Sequence, residues 1–172
     1  VGKASSITSQ YDGFVNYVAS LGWTGSLNTL SPAKMYKIKA KSDAELSLTG
    51  NATDPTLTTI TLNPDFSWIG FPLQQSMEVG EALAAAQPVN GDQITSFTGG
   101  YAQYYNGTWY GSLNTLNPGL GYIYQSMASD TKTFSYPAAS RRITKPNVTS
   151  DGNRWQPAIG LYPNVTNITL TV

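Results

Sequence analysis

The sequence contains no cysteine and no histidine. Without cysteine there is no thiolate nucleophile, zinc knuckle or iron–sulfur site, and without histidine no Ser-His-Asp triad and no imidazole metal ligand. Charge is also scarce. Charged residues make up 12% of the chain, about half the usual share. Ten basic and ten acidic residues cancel, so no global field attracts nucleic acid or an anionic membrane. No apolar run approaches the ~18 residues of a membrane-spanning helix. The groups left for chemistry are carboxylates, amines and hydroxyls, and they name no reaction. The residues imply no cofactor and no catalytic set, and the chain by itself is expected to have no hydrolase or transferase activity.

What is abundant is turn and strand chemistry. There are 16 Gly and 10 Pro among 172 residues, and Ser, Thr and Asn number 17, 20 and 12. That profile suits short strands joined by many turns and argues against a helical bundle. The length is that of one ordinary domain or two small ones. Folding at this size buries roughly 70% of the surface exposed by the unfolded chain, so no covalent staple is required.

An internal repeat organises the sequence. Residues 23–32 read WTGSLNTLSP and residues 109–118 read WYGSLNTLNP, identical at eight of ten positions at an offset of 86. Upstream, Ile7-Thr8-Ser9 corresponds to Ile94-Thr95-Ser96. Downstream, Tyr36 falls on Tyr122 and Ile38 on Tyr124. The pattern predicts a duplicated unit. In the second copy Ser67 to Pro72 reads as a strand closed by Pro. Ser76 reads as an N-cap, with Glu78 and Glu81 in a first helical turn. Val79, Leu83 and Ala86 share one helix face, and Pro88 ends it. Asn106-Gly107 between Tyr101–Tyr105 and Trp109–Leu113 is a strong hairpin signal, and 122–126 and 133–136 read as closing strands.

The first copy begins near Ile7 and lacks an equivalent of the Trp68 strand and of the helix. Pro137 to Pro163 reads as a linker, and 165–172 as a strand in need of a partner. A truncated repeat at one end and an unpaired strand at the other are expected of a piece of a longer protein. The fold predicted is therefore a β-rich α+β architecture of two related antiparallel β units, with one short helix near 76–86 and a C-terminal linker plus strand. Residues 1–50 form a partial first unit, 51–137 a complete second unit, and 138–172 the linker and terminal strand.

The pattern Trp68-Ile69-Gly70-Phe71-Pro72, Glu81-Ala82-Leu83, Gly91-Asp92, Gly111-Ser112-Leu113 and Pro118-Gly119-x-Gly121-Tyr122 resembles a repeat of large surface or secreted proteins of gut Bacteroidetes. The tail, Asn153-Arg154-Trp155-x-Pro157 through Tyr162-Pro163-Asn164, resembles the segment that follows such repeats. The resemblance implies an extracellular or cell-surface setting and a modular parent whose other domains are partners of this one. It implies no activity and supplies no catalytic residues.

Candidate functional residues are mainly aromatic. Trp23 and Trp109 occupy the same place in both copies and are expected to pack, together with Trp68, Tyr36 and Tyr122, as structural core. Tyr104, Tyr105, Tyr110 and Trp155 are read as lacking aromatic counterparts in copy one, which makes them surface candidates for stacking on sugar rings or on a protein. The carboxylates sit mostly beside turn residues or in the first helical turn, where capping accounts for them. Lys37, Lys39 and Lys41 alternate with Tyr36, Ile38 and Ala40, which predicts a strand with one solvated face, at a sheet edge protected by lysines. The second copy has no such lysines, so no phosphate or nucleic-acid role is expected. Asn51–Asp54 and Asp151–Asn153 carry too few regularly spaced oxygens for calcium, and no metal site is expected. The resulting expectation is a non-catalytic structural or adhesive module that contacts glycan or protein. The alternative is an ancillary carbohydrate-binding part of a larger carbohydrate-active enzyme.

Overall fold

The computed structural model describes residues 4–40, 47–49, 54–138, 155–159 and 167–169. In chain order the strands are β1 (Ala4–Ser9), β2 (Phe14–Val18), β3 (Gly22–Gly25), β4 (Tyr36–Ala40), β5 (Ser47–Thr49), β6 (Ile60–Leu62), β7 (Asp65–Gly70) and β8 (Met77–Glu78). A short helix α1 (Val79–Ala82) and a 3-10 turn (Ala84–Ala86) follow. Then come β9 (Gln93–Ser96), β10 (Tyr101–Tyr105), β11 (Thr108–Gly111), β12 (Thr115–Leu116), β13 (Gly121–Ser126), β14 (Lys132–Phe134), β15 (Trp155–Ile159) and β16 (Asn167–Thr169). The protein is β-rich, with antiparallel sheets and a single short α-helix among the described residues.

Two five-stranded sheets dominate. Their orders are β3-β2-β1-β4-β15 and β11-β10-β9-β13-β7, so matched strands occupy matched places. The hairpins differ in their turns. β10 and β11 close on Asn106-Gly107, where φ is 47° and 86°, the left-handed pair that a tight hairpin requires. β2 and β3 close over one more residue, 19–21, with Leu21 N–H donating to the Val18 carbonyl at 3.0 Å. That extra residue is where the offset between the sheets changes from 87 to 86.

Local contacts repeat as well. Tyr36 and Tyr122 are both fully buried, and each hydroxyl accepts a backbone N–H five residues upstream, from Ser31 at 2.8 Å and from Asn117 at 2.7 Å. Gly25 and Gly111, at φ 150° and 149°, each lie against the backbone carbonyl of the neighbouring strand, that of Phe14 and of Tyr101. A Cβ at either place would collide with that carbonyl.

The tail departs from the reading of 137–163 as a linker. β15 pairs antiparallel with β4, with Ile159 opposite Tyr36, just as Ile69 of β7 stands opposite Tyr122 of β13. The first sheet thus has a strand in the place of the Trp68 strand, drawn from the far end of the chain. Asn167–Thr169, within the expected terminal strand, pairs with Ser47–Thr49. Residues 139–154, the greater part of the expected linker, lie outside the described residues.

The helix is shorter than 76–86. Met77–Glu78 pairs instead with Thr115–Leu116, and Ser76 is no cap, because its hydroxyl donates to Asn117 Oδ1 at 2.7 Å. Gln87 in the left-handed conformation ends the 3-10 turn one residue before Pro88. Val79, Leu83 and Ala86 are buried as their spacing predicted, and Ala82 with them, against the inner face of the second sheet. Phe71, Phe134 and Tyr136 add a cluster of edge-on rings with centroids 5.1 Å apart. A smaller core of Ile7, Leu27 and Tyr36 lies on the first sheet.

The sheets meet along the outer edge of β7, whose backbone groups would otherwise be open. Gln10 does the pairing with its side chain. Its Oε1 accepts the Trp68 N–H at 2.7 Å and its Nε2 donates to the Phe66 carbonyl at 2.9 Å. Residues 33–35 continue the edge: Gly70 N–H donates to the Ala33 carbonyl at 3.0 Å and Met35 N–H to that of Trp68 at 3.3 Å. Gly70 is needed for this approach, since a Cβ there would run into the Pro32 and Lys34 carbonyls.

Candidate functional site

Alternation and register divide the second sheet into two faces. Ile94, Ala102, Tyr122 and Tyr124 point to the core. The opposite face carries two transverse rows. One is Tyr110–Gln103–Gln93–Gln125–Phe66, and the other is Tyr101–Thr95–Ile123–Trp68. At about 4.8 Å per strand the longer row spans roughly 19 Å. Every residue in both rows is exposed or half-exposed. Tyr105 and Thr108, opposite one another, extend the face toward the hairpin turn. Tyr101, Tyr105, Tyr110 and Phe66 are 52%, 57%, 57% and 49% exposed, so large rings are held on rigid strands without serving the core. Neither row contains a charged side chain.

The aromatic candidates separate on this geometry. Tyr105 and Tyr110 lie on the open face. Tyr104 does not, and that assignment is corrected: it points inward, half-buried, with its ring 5.3 Å from that of Trp109 at 59°. It also has a counterpart, Tyr17, at 5.5 Å and 65° from Trp23. Trp155 is the first residue of β15, but its side chain lies outside the described residues. Tyr101 and Phe66 were missed as candidates. Their places on the open face follow from register, which a single strand's sequence does not reveal.

The expected core aromatics divide too. Tyr36 and Tyr122 are buried outright. Trp23 and Trp109 are half-buried against their respective cores, and Trp109 seats α1, with Gly80 over its indole. Trp68 is not a core residue. It stands at the end of the second row with the Lys37 ammonium 4.1 Å from its ring centroid, because an even step from Phe66 keeps it on the outer face.

Asp12, Asp54 and Asp92 are occupied. Asp12 is bound by Lys34 at 2.7 Å and receives the Ser9 hydroxyl at 2.8 Å; Lys34 first and Ser9 second hold its carboxyl below the usual range. Asp54 accepts the Thr56 N–H and hydroxyl at 2.9 and 2.7 Å, the turn role its neighbours predicted. Asp92 is fully buried and accepts from the Tyr124 hydroxyl at 2.6 Å, Met127 N–H at 2.7 Å and Val89 N–H at 3.0 Å. Burial, and then Asp92 itself, push the Tyr124 hydroxyl far above its ordinary range. This pair lies on the core side, tying the 89–92 turn to the end of β13. Asp151 lies outside the described residues.

Among the described residues no group of His, Cys, Asp or Glu is arranged to hold a metal ion, and no helix is long and apolar enough to cross a membrane. No family model, curated protein or solved structure matches the chain.

Proposed function

We propose that the chain is a non-catalytic adhesive module of a bacterial surface or secreted protein, and that the outer face of its second sheet is a glycan-binding platform. The observation that carries this reading is the row from Tyr110 to Phe66: exposed rings at both ends, three glutamines between them. Sugar rings offer apolar C–H faces to stack on aromatic rings and hydroxyls that both donate and accept. Glutamine amides match the hydroxyls, having two donors and an acceptor that takes two bonds. The face is broad and preformed, which limits the ordering cost of binding an extended polymer. Core packing, by contrast, gives Tyr101, Tyr105 and Tyr110 no role.

The test is a glycan array probed with the full chain, followed by calorimetry on the strongest ligands. Tyr110→Ala and Tyr105→Ala are expected to reduce affinity at least tenfold with no loss of thermal stability, since both rings are mostly in water. A parent chain that binds no glycan, or variants that bind as tightly as the parent, would sink the platform reading.

A further inference from the structure

The row Tyr101–Thr95–Ile123–Trp68 does not stop at the edge of the second sheet. Lys37 of β4 reaches over Trp68, its Nζ 4.1 Å from the ring centroid. Lys37 pairs with Thr8, and Thr8 with Phe14, all on the outer face of the first sheet by alternation. The outer faces therefore adjoin where Lys37 meets Trp68. An ammonium lying on an indole is half desolvated on one side only.

Lys37 stands on the outer face of β4, opposite Thr8. Among the described residues no Asp or Glu occupies the outer-face positions of β1, β2, β4, β9, β10, β11, β13 or β7. Asp12, in the loop beside Gln10, is neutralised by Lys34 at 2.7 Å.

Resting on the platform reading above, we propose that the ligand is an acidic glycan, with a carboxylated sugar received by Lys37 beside Trp68 while neighbouring sugars lie on the uncharged rows. Lys37 then sets specificity, and the tyrosines supply most of the affinity. A neutral polymer would fill the rows but leave the ammonium without a counter-charge.

The experiment uses the full chain and three acidic polymers, polygalacturonate, alginate and hyaluronan, each beside its neutral methyl ester. At least one acid is expected to bind about fivefold tighter than its ester at low salt, as one partly exposed ion pair allows. The preference should shrink in molar salt. Lys37→Gln should bring the acid down to the affinity of its ester, and Lys37→Arg should retain the preference. Equal affinity for every acid and its ester, or a preference that survives Lys37→Gln, overturns the acidic assignment and leaves the platform standing. Absence of binding to all six polymers overturns the acidic assignment as well, and the glycan array then decides the platform separately.

Discussion

Tyr104 leans on Trp109 across the β10–β11 hairpin, ring centroids 5.3 Å apart, and Tyr17 stands to Trp23 in the same way across β2–β3 at 5.5 Å. Each pair is directly cross-strand. Each lies on the core side of its sheet, so it stiffens the hairpin that the outer face depends on.

Tyr104→Ala should therefore lower stability by about 1–3 kcal/mol, with Trp109→Ala costing about 2–4 kcal/mol because α1 also rests on it. A double-mutant cycle by urea unfolding should return a coupling of about 0.5–1.5 kcal/mol between the two rings. A Tyr104→Ala chain that melts with the parent but loses a ligand would reverse the assignment and put Tyr104 in a binding site.

Much of this was legible in the residues. Asn106-Gly107 announced its hairpin, and the spacing of Val79, Leu83 and Ala86 announced a buried face. What could not be read was long-range pairing. Nothing local in Trp155 to Ile159 says that it will lie beside Tyr36, more than a hundred residues earlier. Nor does Gln10 advertise that its amide will stand in for a strand. Tyr104 was misplaced for a smaller reason. The offset is 87 before the hairpin turn and 86 after it, and only the first value brings Tyr104 onto Tyr17.

Asp92 offers a second test, since the corresponding positions in the first sheet hold Ser5 and Ile38 in place of Asp92 and Tyr124. Sheet one thus manages without a carboxylate and phenol at these places. Asp92→Ala alone leaves the Tyr124 hydroxyl and two backbone N–H groups without an acceptor, which should cost about 3–5 kcal/mol. Adding Tyr124→Phe should recover about 1–2 kcal/mol of that loss, because one orphaned donor is removed. Strict additivity in chemical denaturation would mean that the hydrogen bond contributes little.

The seam between the sheets can be opened without touching either core. Gly70→Ala forces a methyl group into the Pro32 and Lys34 carbonyls and should cost about 1–3 kcal/mol through displaced backbone. Gln10→Ala should uncover the Trp68 N–H, while the Phe66 carbonyl keeps the Tyr11 hydroxyl at 3.3 Å, and amide exchange at Trp68 should accelerate in hydrogen-exchange measurements while Ile94 stays protected. Unchanged exchange at Trp68 in the Gln10 variant would show that the side chain is dispensable for edge pairing.

The buried tyrosines predict an alkaline limit to stability. Burial pushes the Tyr122 hydroxyl up to about 12 despite the opposing bonds from Asn117. It pushes Tyr124 and Tyr136 up further still. In the unfolded chain these hydroxyls ionise near 10. Between that value and their folded ones the unfolded state has released protons that the folded state retains, so unfolding becomes easier as pH rises. The contribution is fully present below pH 10. For Tyr122 alone it amounts to about 2–3 kcal/mol, lost progressively by pH 12. Denaturation midpoints should hold level to about pH 9 and then fall steeply. Tyrosinate absorbance from Tyr122, Tyr124 and Tyr136 should rise in one cooperative step that coincides with loss of structure. Midpoints that stay constant through pH 12 would show that the folded chain can ionise these rings in place, and the packing around Tyr122, Tyr124 and Tyr136 would have to be looser than described.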